Sequence, residues 1–151
     1  MKSFLIVYHS QSGTCARLAQ AAHQGAQREQ DVRVQVLRAW DADTASLKKA
    51  DGVLLITAEN SGALAGCMKD FLDRVFYPAI EAGIVMPYAI VVSAGNDGRS
   101  AAAQAQRIAS GIPLVPAAEP LILRGEYDEK KHSQCCELGE ALAAGVAMGI
   151  Y

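Results

Sequence analysis

No run of lysine or arginine occurs in this chain, and its formal net charge is −2. It therefore carries no electrostatic footprint for nucleic acid or an acidic lipid surface. Apolar stretches are broken by glycine, glutamate or arginine well short of the roughly 18 to 20 residues a membrane span needs. The opening Met1-Lys2-Ser3, followed by Phe4 to Tyr8, is too short and abrupt for a secretory leader, so a cytoplasmic protein is expected. The four cysteines (Cys15, Cys67, Cys135 and Cys136) form no C-x-x-C pair, which predicts free thiols and not a disulfide framework. His9, His23 and His132 show no ligand spacing with them, so no metal site is expected. Neither G-x-G-x-x-G after the first strand nor G-x-x-x-x-G-K-[ST] is present, which excludes the dinucleotide fingerprint and the triphosphate loop. There is no G-x-S-x-G nucleophile elbow. A low-molecular-weight phosphatase loop fails as well, because Ala21 and Asp73 stand where arginine would have to follow Cys15 and Cys67. No side chain is thereby marked as catalytic.

What is present is the composition of a packed α/β protein. The chain has 151 residues, 51% of them hydrophobic and 20% charged, enough for one continuous core in a single domain over 1–151. Five short apolar segments alternate with helical patterns, as in a parallel sheet flanked by helices. The first strand is Phe4 to Tyr8. A helix follows from about Thr14 to Arg28, with Cys15, Leu18, Ala19, Ala22 and Ala26 on one stripe. Val32 to Leu37 alternates apolar and polar residues, so one face is wet and the strand belongs at an edge. Val53 to Ile56 and Ala89 to Val92 are unbroken apolar runs, as strands covered on both faces must be. Leu121 to Leu123 is a short last strand, and a helix from about Lys131 to Met148 is expected to bury Leu138, Leu142 and Val146. An edge second strand and interior third and fourth strands predict a doubly wound five-stranded parallel sheet in the order 2-1-3-4-5. A response-regulator receiver has this topology but needs acidic residues where the chain reads His9-Ser10 and Thr57-Ala58-Glu59.

In such a sheet ligands bind past the carboxyl ends of the strands. Three turns at those ends are rich in Gly, Ser and Asn. Ser10-Gln11-Ser12-Gly13-Thr14-Cys15 leads from the first strand into a helix. Its small residues let several backbone N–H groups converge on one oxyanion at the positive end of the helix. A helix N-cap alone would need neither three hydroxyls nor a glycine. Cys15 has two readings, the start of the buried helix stripe or a contact to the anion.

Ser10-x-Ser12-Gly13 resembles the FMN-phosphate loop of the flavodoxin-like superfamily. Thr57 to Arg74 is similar to the stretch after the third strand in FMN-dependent NAD(P)H reductases and WrbA-type quinone reductases, and Ser93 to Gly98 to their turn after the fourth. The resemblance covers nearly the whole chain and implies one FMN held by all three turns. Ser10, Gln11, Ser12, Gly13, Thr14 and Cys15 would take the phosphate. Thr57, Ala58, Glu59, Asn60, Ser61 and Gly62 would lie along the isoalloxazine. Ser93, Ala94, Gly95, Asn96, Asp97 and Gly98 would face its pyrimidine edge, where donors tune the potential. The chain departs from those patterns in three places. Cys15 replaces a threonine, Ala58 a proline, and Ser61 and Ala63 fill positions that often hold an aromatic ring. The one tryptophan, Trp40, follows the second strand, on the wrong side for the usual stacking.

Glu59 either positions the flavin or a nicotinamide or is a solvated loop carboxylate. Asn96 and Asp97 either read the flavin or form an Asx turn. Lys69, Asp70, Asp73 and Arg74 read as an exposed helix face. Phe76, Tyr77 and Tyr88 are expected to pack, internally or between copies of a homo-oligomer, and Cys135-Cys136 has no assigned role. The implied function is an oxidoreductase drawing electrons from NADH or NADPH and passing them to a quinone, free flavin or similar acceptor. The alternatives are an electron-transfer flavodoxin serving a redox partner protein, and a flavodoxin-like module that has lost FMN. A charge of −2 offers little of the steering field that strongly acidic carriers use.

Overall fold

The computed structural model describes residues 1–151. β1 (Lys2–Tyr8) leads through α1 (Thr14–Ala26) to β2 (Val32–Arg38), and the short α2 (Thr44–Lys48) leads to β3 (Gly52–Asn60). The two-residue β4 (Ala63–Leu64) and α3 (Gly66–Glu81) precede β5 (Pro87–Ala94). Next come α4 (Arg99–Gly111), β6 (Val115–Pro116), β7 (Leu121–Arg124) and α5 (Glu129–Met148). The main sheet is parallel in the order β2-β1-β3-β5, and its last position is shared. β6 pairs Pro87 and Tyr88 of β5, and β7 pairs Val91 to Ala94. The doubly wound order expected from the sequence is the observed one, with the fifth strand broken in two.

Each interior strand feeds two cores because successive side chains point to opposite faces. Phe4 and Ile6 of β1 and Leu54 and Ile56 of β3 pack beneath α1 and α5. Leu5, Val7, Val53 and Leu55 pack beneath α2, α3 and α4. β2 has polar Arg33 and Gln35 exposed between partly covered valines, as an edge strand should.

α1 and α5 lie against each other backbone to backbone. A Cβ on Gly139 would overlap the Ala22 carbonyl, and one on Gly25 would overlap the Cys136 carbonyl. Cys135 and Cys136 are buried in this seam, while Leu138, expected inside, is only half-buried. The stripe of α5 is therefore shifted from the leucine spacing toward small residues that allow close approach. Tyr88 is buried, but Tyr77, expected to pack, is 75% exposed on the outer face of α3.

Gly139→Ala should destabilise the protein by about 1–3 kcal/mol, the usual cost of overpacking a closed interior, as thermal unfolding would measure. Burial pushes the Cys15 and Cys135 thiols up to about 12, so they stay protonated and shielded. Half-buried Cys67 should be the one thiol that Ellman's reagent modifies in the folded protein.

Candidate functional site

The chain leaves β1 through a turn that still holds to the sheet, with His9 N–H donating to Ile56 O at 3.1 Å. Ser10 Oγ accepts from Gly13 N–H at 3.0 Å, closing the turn on itself. Gly13 adopts φ +103°, a left-handed conformation that L side chains resist. α1 starts immediately after it with no side-chain cap. By contrast, α2 and α5 start at Asp43 and Asp128, whose carboxylates accept from the first-turn N–H groups of Ser46 and Lys131 at 2.8 Å each. The first N–H groups of α1 are thus left for something other than a side chain, and a Cβ at Gly13 would meet nothing within 4 Å. Open space, free N–H donors and the positive helix end together suit a phosphate.

Cys15 resolves its two readings by its position. It is buried, and its thiol donates to Thr57 O at 3.3 Å while lying beside the Ser93 backbone. The side chain therefore pins the starts of all three turns together from below. The expectation of a Cys15 side chain on the phosphate is corrected, because only its backbone N–H is left for an anion. Thr57 is fully buried as well, and its hydroxyl oxygen has no hydrogen-bond partner. Such an unpaired group costs about 1–3 kcal/mol.

The second turn, Thr57 to Gly62, is a hairpin. β3 runs on to Asn60, and β4 folds back antiparallel with Glu59 opposite Leu64 and Asn60 opposite Ala63. Ser61 (φ 52°) and Gly62 (φ 75°) form the two-residue tip, with the two positive φ values of a type I′ turn. Asn60 Nδ2 reaches Gln11 Oε1 at 3.5 Å and links the hairpin to the first turn. Ala58 is half-buried, and Ser61 and Gly62 are exposed. Glu59 is half-buried, and its carboxylate accepts from Ala101 N–H at 3.4 Å in the first turn of α4. Gln104 of α4 accepts from Leu64 N–H at 2.7 Å, so the hairpin is docked on that helix.

The third turn begins with Ser93 and Ala94 still in β5. Gly95 and Asn96 are exposed. Asp97 takes the Asx-turn alternative, accepting from Arg99 N–H at 3.3 Å and from Arg99 Nε at 2.6 Å, and Arg124 Nε donates to its backbone oxygen at 2.7 Å. Hydrogen bonds from Arg99 hold its carboxyl below the usual range, with a smaller attraction from Arg124. Gly98 (φ 87°) is buried, and a Cβ there would press on Ile122. Asn96 is thus the side chain of this turn left exposed toward the strand ends.

The sequence did not reveal a cavity of about 470 Å³ that the first turn itself lines with Ser10, Gln11 and Gly13, and that Arg38, Trp40 and Cys67 help to close. Arg74, expected to be only an exposed charge, donates to Ala39 O at 2.8 Å and Ala42 O at 2.9 Å and so holds the Trp40 segment. Charge patterning shows a helix face but not the distant carbonyls it serves.

Among solved structures the chain is similar to a flavodoxin from the domain Archaea, at 20% identity and a TM-score of 0.81, covering 95% of this chain and 98% of that one. It is similar to a WrbA-like flavodoxin from Agrobacterium tumefaciens at 17% identity and a TM-score of 0.80, covering 98% and 99%. A flavodiiron protein from Giardia intestinalis aligns with 99% of this chain but only 37% of its own length, at 17% identity and a TM-score of 0.82. No curated protein sequence matches. The flavodoxin family model matches residues 6–84, from β1 through the hairpin to the end of α3, and with that match over half its length the chain belongs to the flavodoxin family.

Proposed function

We propose that the chain binds FMN across its three turns and uses it as an oxidoreductase taking electrons from NADH or NADPH. The observation that carries the binding half is the uncapped start of α1 behind left-handed Gly13, in a protein whose α2 and α5 are both capped by aspartate. Family membership implies the cofactor, and the residues present fit its phosphate. Ser12, Thr14 and Cys15 offer backbone N–H groups, with Ser10 closing the turn on the Gly13 N–H and Gln11 tying it to Asn60. Thr57, Ala58, Glu59, Asn60, Ser61 and Gly62 form one wall for the ring, and Ser93, Ala94, Gly95, Asn96, Asp97 and Gly98 the other. Within those walls Glu59 and Asp97 shape the backbone, and Asn96 and the main chain of Gly95 supply the outward-facing polar groups.

Bound FMN supplies the electron chemistry, and the protein contributes position and polarity. Small residues at Ser61 and Ala63 leave the hairpin side of the ring uncovered, which supports access by a nicotinamide or a flat acceptor. A net charge of −2 supports an enzyme of small molecules over a carrier steered to its partner by charge. The carrier reading, an electron-transfer flavodoxin acting on a redox partner protein, draws its support from the end-to-end match with small flavodoxins.

Titration of the apoprotein with FMN, followed by flavin fluorescence, should saturate, and Gly13→Val should weaken binding tenfold or more, about 1.4 kcal/mol. A Gly13→Val protein that folds and binds FMN normally would remove the phosphate assignment. Cys15→Thr should lower stability by about 1–3 kcal/mol, because it adds a methyl to a closed site, and should leave FMN affinity flat. Tighter FMN binding by that variant would return the Cys15 side chain to the phosphate. Under anaerobic conditions NADH or NADPH should bleach the bound flavin. Failure of both would leave the carrier reading.

A further inference from the structure

Trp40 is the chain's one tryptophan and stands 72% exposed, yet the backbone on either side of it is fixed. Ala39 N–H donates to Tyr8 O at 2.7 Å, and Asp41 and Ala42 N–H donate to Arg38 O at 2.9 and 3.0 Å. The Arg74 guanidinium holds the carbonyls of Ala39 and Ala42, and is itself braced by Asp70 at 2.8 Å. A large aromatic ring is thus presented to solvent on a rigid turn, where no packing requirement of the fold explains it. It forms one side of the cavity of about 470 Å³, within the roughly 300–1,000 Å³ of small-molecule sites. Arg38 lies in the same wall. Its Nε donates to Asp41 at 3.1 Å in an exposed pair, an interaction of little strength that leaves the two terminal guanidinium nitrogens for a phosphate fork. The opposite wall is the first turn itself, with His9, Ser10, Gln11 and Gly13, so a ligand seated here lies against the turn proposed to hold the FMN phosphate.

We propose that this cavity is a nucleotide subsite that takes the adenylate of the nicotinamide dinucleotide, the purine lying on Trp40 and a phosphate on Arg38. The proposal rests on the reading of the protein as an NAD(P)H-dependent oxidoreductase. A flat ring and a guanidinium in one wall match a purine carrying phosphate. A neutral quinone would leave the arginine without a partner. The placement fits the reach of a dinucleotide. The cavity lies over the ends of β1 and β2, whereas the hairpin that walls the ring follows β3, on the far side of β1. Two strand spacings, about 10 Å, separate the flanks, so a donor seated on Trp40 has its other half free to extend across the first turn toward the flavin wall. Stacking on an indole tolerates any base and is strong enough to anchor one end of a ligand.

The adenylate of FAD has the same chemistry, and the test separates the two sources. FMN-loaded protein is titrated with ADP while the fluorescence of Trp40, the only indole, is followed. Saturable quenching is expected. Arg38→Gln and, by calorimetry, Trp40→Leu should each weaken ADP at least fivefold while leaving FMN affinity within twofold. Both variants should raise KM for NADH or NADPH with kcat unchanged, a split that a merely structural role would not produce. FMN binding without ADP binding would overturn the subsite and leave the flavin reading intact. ADP binding to a protein that takes up no FMN would overturn the donor assignment together with the flavin reading. FAD binding to apoprotein tenfold tighter than FMN, with the gain lost in Trp40→Leu, would move the adenylate to the flavin and overturn the donor assignment.

Discussion

The contact on which the other features depend is the backbone approach of α1 to α5 at Gly25 and Gly139. With hydrogen in place of a side chain at both positions, each helix rests on the other's carbonyl oxygens, and the two lie side by side on one face of the sheet. With α1 so seated, Cys15 at its start reaches the Thr57 carbonyl and the Ser93 backbone. The thiol then couples three chain segments that are far apart in sequence. A larger residue in the seam would push α1 sideways and shift the first turn relative to the other two. The geometry of the site is thus set by two glycines that face away from it.

The helix starts divide the labour at the strand ends. α2 and α5 satisfy their own first turns through aspartate, and α4 borrows the Glu59 carboxylate from the hairpin. α1 and α3 begin at Gly13 and Ala65 without a side-chain cap. Aspartate at position 13 would put a carboxylate in the space proposed for the phosphate. Glycine there keeps the helix dipole exposed and keeps the space beside it clear.

The sheet was legible because interior parallel strands must be apolar on both faces, which makes Val53 to Ile56 and Ala89 to Val92 unmistakable, while the alternation of Val32 to Leu37 marks an edge. The hairpin was not read from Thr57 to Gly62. Its tail is neither alternating nor apolar, and the one signal was the Ser61-Gly62 dipeptide, a turn pair. The role of Glu59 is set by α4, 42 residues on, and no local pattern reports that distance. For Cys15 the helix stripe was the better guide than the loop pattern, since burial periodicity follows the sheet beneath it. Trp40 follows β2, the edge strand beside β1. That it stands at a cavity depends on Arg74 and α3, which local reading cannot bring to it.

The broken fifth strand has a consequence for how copies of the chain can meet. An uninterrupted outer strand would offer a row of unpaired N–H and C=O groups on which a neighbour could extend the sheet. Here that margin consists of two residues ending in Pro116, a gap closed by Pro120, and four more residues. Proline at both breaks removes donors that a new strand would need. On the opposite margin β2 exposes Arg33 and Gln35 between its valines, which disfavours a dry, flat junction. Growth by strand addition is therefore blocked at one border and discouraged at the other, and any assembly of copies has to form through side-chain surfaces.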